Sequence, residues 1–518
     1  MNTDLGPFRS NEGASQNRLF ADWRLSLTDP NIDWTSEWMD LAVRADDLVR
    51  NDATMAALLH AKLAVTHGNT YLRHRSLYSE DGDNETSQSE SDMRRLIDDE
   101  IEQSSRGTQL DATGMMVRRE LEEALDRWAT VRGEGWGVRK FITGRPGARI
   151  STCWLLVSPD RISNPPGETN GPALFEGIAL DANGCRVGIW VGPPRCGIIG
   201  RSSDPKDWTY VSWFAEDGSR NIIHRIGLRL PGALRGISCY APNMALAKQT
   251  KGVVDAYVVA KRVQACHPIF ISCDDPIAAA KADRNGAVYG PNTTLEPGKV
   301  YYVGRDTVVN FSTWQFNGAD MRAFLDTLYR NMFAAWGLPI CVVLGQMSSG
   351  SNQAARSDWM QFYRQGARWQ DEHIEQASTV FDESIIREAV AAGRIPAPKD
   401  GDWSRLMQGR YVRPPRSMPD PYKEAQAAAA WMDLGRDLTD IYAEFCGREF
   451  RDSIMQRHED NEFLEAQGVQ IVTSAKTQAM PGEPIAPVDP NAPADPNNPS
   501  PDDTETQENE PVSNNTDE

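Results

Sequence analysis

The polar clusters of this sequence offer contact chemistry rather than catalysis. Ser348, Ser349, Gly350, Ser351 and Asn352 stand between two helical patterns. They are small, neutral and rich in hydrogen-bonding groups, with little to bury, which is the composition of a flexible tip. A second group is basic: Lys248, Lys251, Lys261 and Arg262 recur along one apolar helical pattern, where a solvated face explains them as well as a ligand does. His224 lies inside the run Asn221–Ile226 with no Ser or Cys elbow and no metal partner, so it reads as a core or edge histidine rather than a base. No Gly-x-x-x-x-Gly-Lys-Ser/Thr, Gly-x-Ser-x-Gly or His-Glu-x-x-His occurs, and Gly133-Glu134-Gly135-Trp136-Gly137 lacks the spacing of a dinucleotide site. Asp274-Asp275 and Asp502-Asp503 are adjacent, so in extended chain they point apart and take no acid and base roles. The eight cysteines show neither Cys-x-x-Cys nor a Cys/His zinc spacing and read as scattered, reduced core residues. The acidic stretch 80–87 does not match a calcium loop and reads as a surface insertion. The sequence thus predicts no catalytic residue, no cofactor and no metal site, and favours architecture over an enzyme.

The elements around those clusters are mostly helical. Asn317-Gly318-Ala319-Asp320 supplies a cap and a first-turn acid, after which Met321, Phe324, Leu325, Leu328, Met332 and Trp336 hold one stripe. Gly337 and Leu338-Pro339 stop that helix. From Gln353 the helical period runs to Ala392, a helix of roughly 60 Å, with Gly366 as its expected bend. Asn243 to Ala265 is a further helix, and between it and 317 come strand-like pieces at 268–272, 299–303 and 307–311. Helices are expected at 35–52, capped by Thr35 or Ser36, and at 53–66, 93–103 and 115–130, with a turn at 110–114. Residues 144–230 read as sheet, through runs at 153–157, 187–191 and 221–226. Asp420-Pro421 opens a helix closed by Gly435, and others follow at 439–446 and 449–467.

At 518 residues and 40% hydrophobic content the chain can build two to four domains. Its net charge is −19, but ten acidic residues and no basic one follow Lys476, so about half the excess belongs to a Pro- and Asn-rich tail expected to stay disordered. Met1–Leu5 carry no secretion signal, and no apolar run approaches a membrane span.

Several segments resemble the lambda family of portal proteins of tailed bacteriophages. They are Leu110–Gly114, Glu176–Gly184, Leu234–Pro242, Pro297–Val300, Trp336–Pro339, Ala354–Ser357 and Asp420–Ala425, in that order from about 40 to 468. The resemblance implies an α+β portal fold. An N-terminal arm (1–34) is followed by a wing (35–242), a first stem helix (243–265), a clip (266–316) and a second stem helix (317–337). A tunnel-loop region (338–352), a long wing helix (353–402), a helical crown (403–475) and an acidic tail (476–518) complete it. It further implies a ring of twelve copies at one vertex of the virion, assembled in the bacterial host cytoplasm, with double-stranded DNA packaged and ejected through it. Partners would be terminase, then head-completion proteins, and the major capsid and scaffold proteins; no membrane is involved. Ser348–Asn352 would form the tunnel loop, Lys248, Lys251, Lys261 and Arg262 would be channel charges or salt bridges to a neighbour, and Asp274, Asp275, Arg284, Lys299 and Arg305 would dock partners at the clip. One departure is local: where relatives carry an Asn-Tyr-Ser-type segment before the Ala-Arg pair, this chain reads Gly345–Gln353. The alternatives are a capsid-associated adaptor or scaffold that never touches DNA, and an enzyme acting on nucleic acid or cell wall.

Overall fold

A computed structural model describes residues 29–458 apart from 69–70, 80–87, 195–203, 267–268, 284–285, 290–298, 306–317, 346–351, 399–400, 415–420, 447–449, 451–452 and 455–456. Contacts divide the chain after Ser453. Of the second unit only Ile454, Arg457 and His458 are described, and every numbered helix and strand belongs to the first.

Asp29 and Pro30 start helix α1 (Pro30–Asn51), with the Asp29 carboxylate accepting from the Asn31 N–H at 2.8 Å. The start expected at Thr35 or Ser36 is therefore too late, because the Asp-Pro cap lies one turn upstream; Trp34, assigned to the arm, is buried. Asp52 ends α1 and caps α2 (Ala53–His67) through the Thr54 and Met55 N–H groups. Helix α2 buries most of its circumference and leaves one narrow face exposed at Ala53, His60 and Ala64. Strand β1 (Arg73–Ser76), α3 (Gln88–Ser105) and α4 (Arg118–Arg132) follow. Between the last two, Asp111 accepts from the N–H groups of Thr113, Met115 and Met116, which fixes the expected turn. The acidic 80–87 insertion lies outside the described residues.

Sheet begins earlier than 144. Strand β2 (Glu134–Phe141) is the centre of a three-stranded antiparallel sheet between β3 (Thr152–Val157) and an eighth strand; its glycines hide the alternation that signals a strand. Strands β4 (Leu174–Phe175), β5 (Ile178–Leu180), β6 (Arg186–Val191) and β7 (Thr209–Ser212) form a second antiparallel sheet in that order. Then β8 (Ile222–Ile226) returns to pair with β2. Trp136, Val138, Ile178, Ile189 and Trp213 make the shared core of the two sheets.

After Tyr240 come α5 (Met244–Cys266), β9 (Ile269–Cys273), α6 (Pro276–Ala282), β10 (Gly286–Val288), β11 (Val300–Gly304) and α7 (Gly318–Ala334). The three strands form a parallel sheet ordered β10, β11, β9; the strand expected at 307–311 lies outside the described residues. The apolar run after Pro339 is a short helix, α8 (Ile340–Leu344), closed by Gly345.

The long helix is α9 (Asn352–His373), a wider π turn at Ile374–Ser378, and α10 (Thr379–Ala391). Its irregularity is the π turn rather than Gly366, through which α9 runs unbroken. Gly366 is instead a point of close approach: a Cβ there would lie 2.3 Å from Val65 Cγ2, so α2 can sit against α9 only if that position is bare. Helix α11 (Trp403–Met407) and β12 (Gly409–Val412) turn back, β12 pairing antiparallel with β1. Residues 403–412, which the resemblance places in the crown, are thus tied to the first half of the chain, with Leu406 in one core with Leu121, Trp154 and Phe381. Helices α12 (Pro421–Asp433) and α13 (Leu438–Cys446) match the expected pair; the helix expected at 449–467 lies mostly outside the described residues. Cys153 is buried as expected, whereas Cys185 is exposed, in a turn after β5 rather than in a core.

Candidate functional site: two paired helices and their knob

Helices α5 and α7 run antiparallel from a common root. The Asn243 side-chain amide donates to the Met332 carbonyl at 3.0 Å, which sets the start of α5 beside the end of α7. Ala247 from α5 and Met332 and Phe333 from α7 join Leu58, Leu59, Trp336 and Phe362 in one core. Gly337, at φ 69°, ends the α7 turn and lets Leu338 fold back into that core.

Away from the root the pair is uncovered by its own chain. No described residue of 251–262 in α5 is buried, nor any of 320–331 in α7. Apolar side chains share that exposure: Val259 is 58% and Phe324 49% exposed, with Val253 and Val258 also uncovered. Scattered apolar exposure is ordinary, but a run of it along two packed helices marks an association surface.

The basic residues of α5 fall on two sides. At about 100° per residue, Lys248, Lys251 and Arg262 share one face with Asp255 and Val259, and the buried Ala247 and Thr250 fall to the other side of Lys251. Lys251 Nζ donates to the Asn51 carbonyl at 3.2 Å. Lys261 lies toward the other side, its Nζ 5.5 Å from the Tyr257 ring centroid. Three of the four predicted cations therefore form a stripe, interrupted by one acid.

In the knob, Asp274 and Arg305 meet at 3.2 Å with both side chains about three-quarters exposed, a pair worth little to stability. Asp275 is engaged by the fold: its carboxylate accepts from the N–H groups of Ile277 and Ala278 and caps α6. Lys299 is half-buried at the entry to β11. Arg284 lies outside the described residues. So do Ser348, Ser349, Gly350 and Ser351, while Asn352 opens α9. Among the described residues no helix is long and apolar enough to cross a membrane.

Two buried polar clusters escaped the sequence reading, since they join residues far apart in the chain. In the first, Glu134 of β2 receives Arg235 at 2.7 and 2.9 Å and lies 3.2 Å from His224 Nε2, with no exposure at the carboxylate. His224 stacks on Trp136 at 3.6 Å, which makes it the structural histidine the sequence predicts. Burial holds its pKa down to about 4 although Glu134 pulls upward. The Glu134 carboxyl is held at about 2, since Arg235 and His224 outweigh the burial that would raise it. In the second cluster, Arg118 pairs with Asp382 at 2.6 Å and Glu122 at 3.1 Å. Asp126 takes Lys62 at 3.3 Å and Arg225 at 3.0 Å. Two further histidines, His67 and His373, are wedged among these charges.

A sequence profile described as "Phage portal protein, lambda family" matches residues 16–370. No curated protein matches the chain. Among solved structures, "Virion of native gene transfer agent (GTA) particle" is similar at 14% identity and TM-score 0.36, over 69% of this chain and 88% of that one. "Neck of empty GTA particle computed with C6 symmetry" is similar at 13% identity and TM-score 0.38, over 79% and 92%. "Neck of native GTA particle computed with C12 symmetry" is similar at 15% identity and TM-score 0.34, over 67% and 88%.

Proposed function

The chain belongs to the lambda family of phage portal proteins, and from that premise we propose that it forms a ring of twelve copies at one capsid vertex, through which double-stranded DNA is packaged and later ejected. The observation that carries this reading is the uncovered length of α5 and α7. Two helices rooted in the core of one chain yet bare beyond that root are incomplete, and repetition around an axis completes them by setting each pair against its neighbours. A closed ring has a wall and a bore, and the stripe of Lys248, Lys251 and Arg262 supplies sparse positive charge to one or the other. A passage for sliding DNA works best without dense basic patches, because each neutralised phosphate adds salt-sensitive affinity through counterion release. Asp255 within the stripe and the neutral tip Ser348–Asn352 both serve that requirement. The clip, with Asp274 and Arg305 presented to solvent, is the docking end for terminase during filling and for head-completion proteins afterwards. The role is mechanical, not catalytic.

Negative-stain imaging of the purified protein tests it. Rings with a central hole wide enough for a DNA duplex are expected. Monomers at high concentration, or rings without a hole, contradict it and favour an adaptor that does not touch DNA.

A further inference from the structure

His67 ends α2, Glu122 lies on α4, and His373 ends α9. One ligand atom from each lies within 4.8 Å of the other two, and all three side chains are fully or almost fully buried. Asp126, one helical turn after Glu122, stands beside the group, its Oδ2 3.5 Å from His67 Nε2. The imidazoles meet edge to face, ring centres 4.6 Å apart, and His373 Nε2 is 4.0 Å from Glu122 Oε2.

The hydrogen-bond accounting at this point is unusual. Both ring nitrogens of His67, both of His373, Glu122 Oε2 and Asp126 Oδ2 have no hydrogen-bond partner. Buried polar atoms are almost always paired, and one left alone costs about 1–3 kcal/mol. One nitrogen from each imidazole and Glu122 Oε2, three potential ligand atoms without a hydrogen bond at one spot, point to a ligand there. The opposite side of each carboxylate is already used: Glu122 Oε1 takes Arg118, and Asp126 Oδ1 takes Lys62 and Arg225. The Glu122 oxygen turned toward the histidines has no hydrogen bond, while that of Asp126 faces His67 Nε2 at 3.5 Å. The π turn begins directly after His373, and such widened turns gather at functional positions.

We propose that His67, His373 and Glu122 bind one structural divalent metal ion of the zinc class, clamping α2, α4 and α9 together. Two imidazoles and one carboxylate are three of the four donors of such a site, at the usual 2.0–2.2 Å, with a water in the fourth position. Such bonds place donors about 3.3 Å apart, so binding draws in donors that now lie up to 4.8 Å from one another. The ion class follows from charge. Lys62, Arg118 and Arg225 already balance Asp126, Asp382 and Glu122, so an ion held mainly by charge, such as magnesium or calcium, gains little here. One that bonds strongly to imidazole nitrogen gains most. Because the ligands are sealed, the ion enters as the domain folds and adds to its stability.

The experiment uses the full chain, expressed without a histidine tag in zinc-supplemented medium and passed over a desalting column. Elemental analysis by mass spectrometry is expected to find one zinc per chain, and a folded protein without metal overturns the proposal. His67→Gln and His373→Gln are expected to lose the metal, while His224→Gln, a substitution of an equally buried histidine outside the cluster, keeps it. Equal zinc in folded His67→Gln overturns the assignment. Should both cluster variants fail to fold, the wild-type chain expressed with cobalt decides: intense visible bands of a tetrahedral nitrogen and oxygen site support it, and only the weak bands of a hydrated octahedral ion overturn it.

Discussion

If residues 35–242 are the wing and α5 with α7 the stem, as we propose, the two solve opposite problems with the same kind of element. Helix α2 leaves only a narrow face for water, at Ala53, His60 and Ala64: Met55, Leu58, Leu59, Lys62, Leu63 and His67 are all buried, and its one lysine is matched by Asp126. Helix α5 is longer, yet beyond Thr250 none of its described residues is buried. The first helix is completed by its own chain; the second waits for another. On that proposal stability is expected to be concentrated in the wing and assembly in the stem, and substitutions in the two regions to fail in different ways.

The largest effect is expected where the wing's charges are sealed. Glu134→Ala leaves Arg235 and His224 buried without their carboxylate, and breaking such a pair costs about 3–5 kcal/mol; a denaturant melt should show the loss in the monomer itself. Phe333→Ala, at the root joining stem to wing, should cost a similar 3–5 kcal/mol through the cavity it opens, again read by denaturant. If it leaves the melt unchanged and only prevents rings, the root belongs with the stem and the division is misplaced.

Acid should act on the wing alone. With its pKa held at about 4 by burial, His224 stays neutral where the unfolded chain, near 6.5, takes up a proton. The unfolded state then binds more protons, so stability falls as pH drops from about 6.5 to about 4, by on the order of 3 kcal/mol. Glu134, held at about 2, adds its own loss only as pH falls below about 4.3. Melts across that range should show both slopes, and His224→Gln should flatten the first.

Smaller effects sharpen the boundary. Gly366→Ala pushes a methyl into Val65 and should cost about 1–3 kcal/mol by overpacking, measured as a lowered melting midpoint. Phe324→Ser, on the exposed length of α7, should change monomer stability by less than about 0.5 kcal/mol while weakening ring assembly in sedimentation. A large loss of monomer stability would place Phe324 in the chain's own core.

Much of the stem was legible because its signals are local. The cations and apolar stripe of α5, the Gly337 stop and the Pro339 break each need only a few neighbouring residues, and helical periodicity did the rest. Asp29-Pro30 carries the same cap signal as Asp420-Pro421, and its omission delayed α1 by one turn. Strand β2 was hidden for a physical reason: Gly135 and Gly137 remove the side chains whose alternation reveals a strand, and Gly135 does so because the Leu125 carbonyl lies where its Cβ would be. Helical spacing alone sorts the basic residues, since at about 100° per residue Lys261 falls outside the stripe of Lys248, Lys251 and Arg262; its contact with Tyr257 needed the structure. The His67, Glu122 and His373 cluster was beyond any spacing rule, because three helices bring it together.

The most direct measurement is a side-chain-resolution reconstruction of the assembled protein by electron microscopy. The account predicts a closed ring in which the faces of α5 and α7 left bare in one chain are covered by neighbouring subunits or turned to a central bore, with Lys248, Lys251 and Arg262 along one of those two surfaces. Subunits joined through the wing alone, with both stem helices standing free in solvent outside the ring, would contradict it.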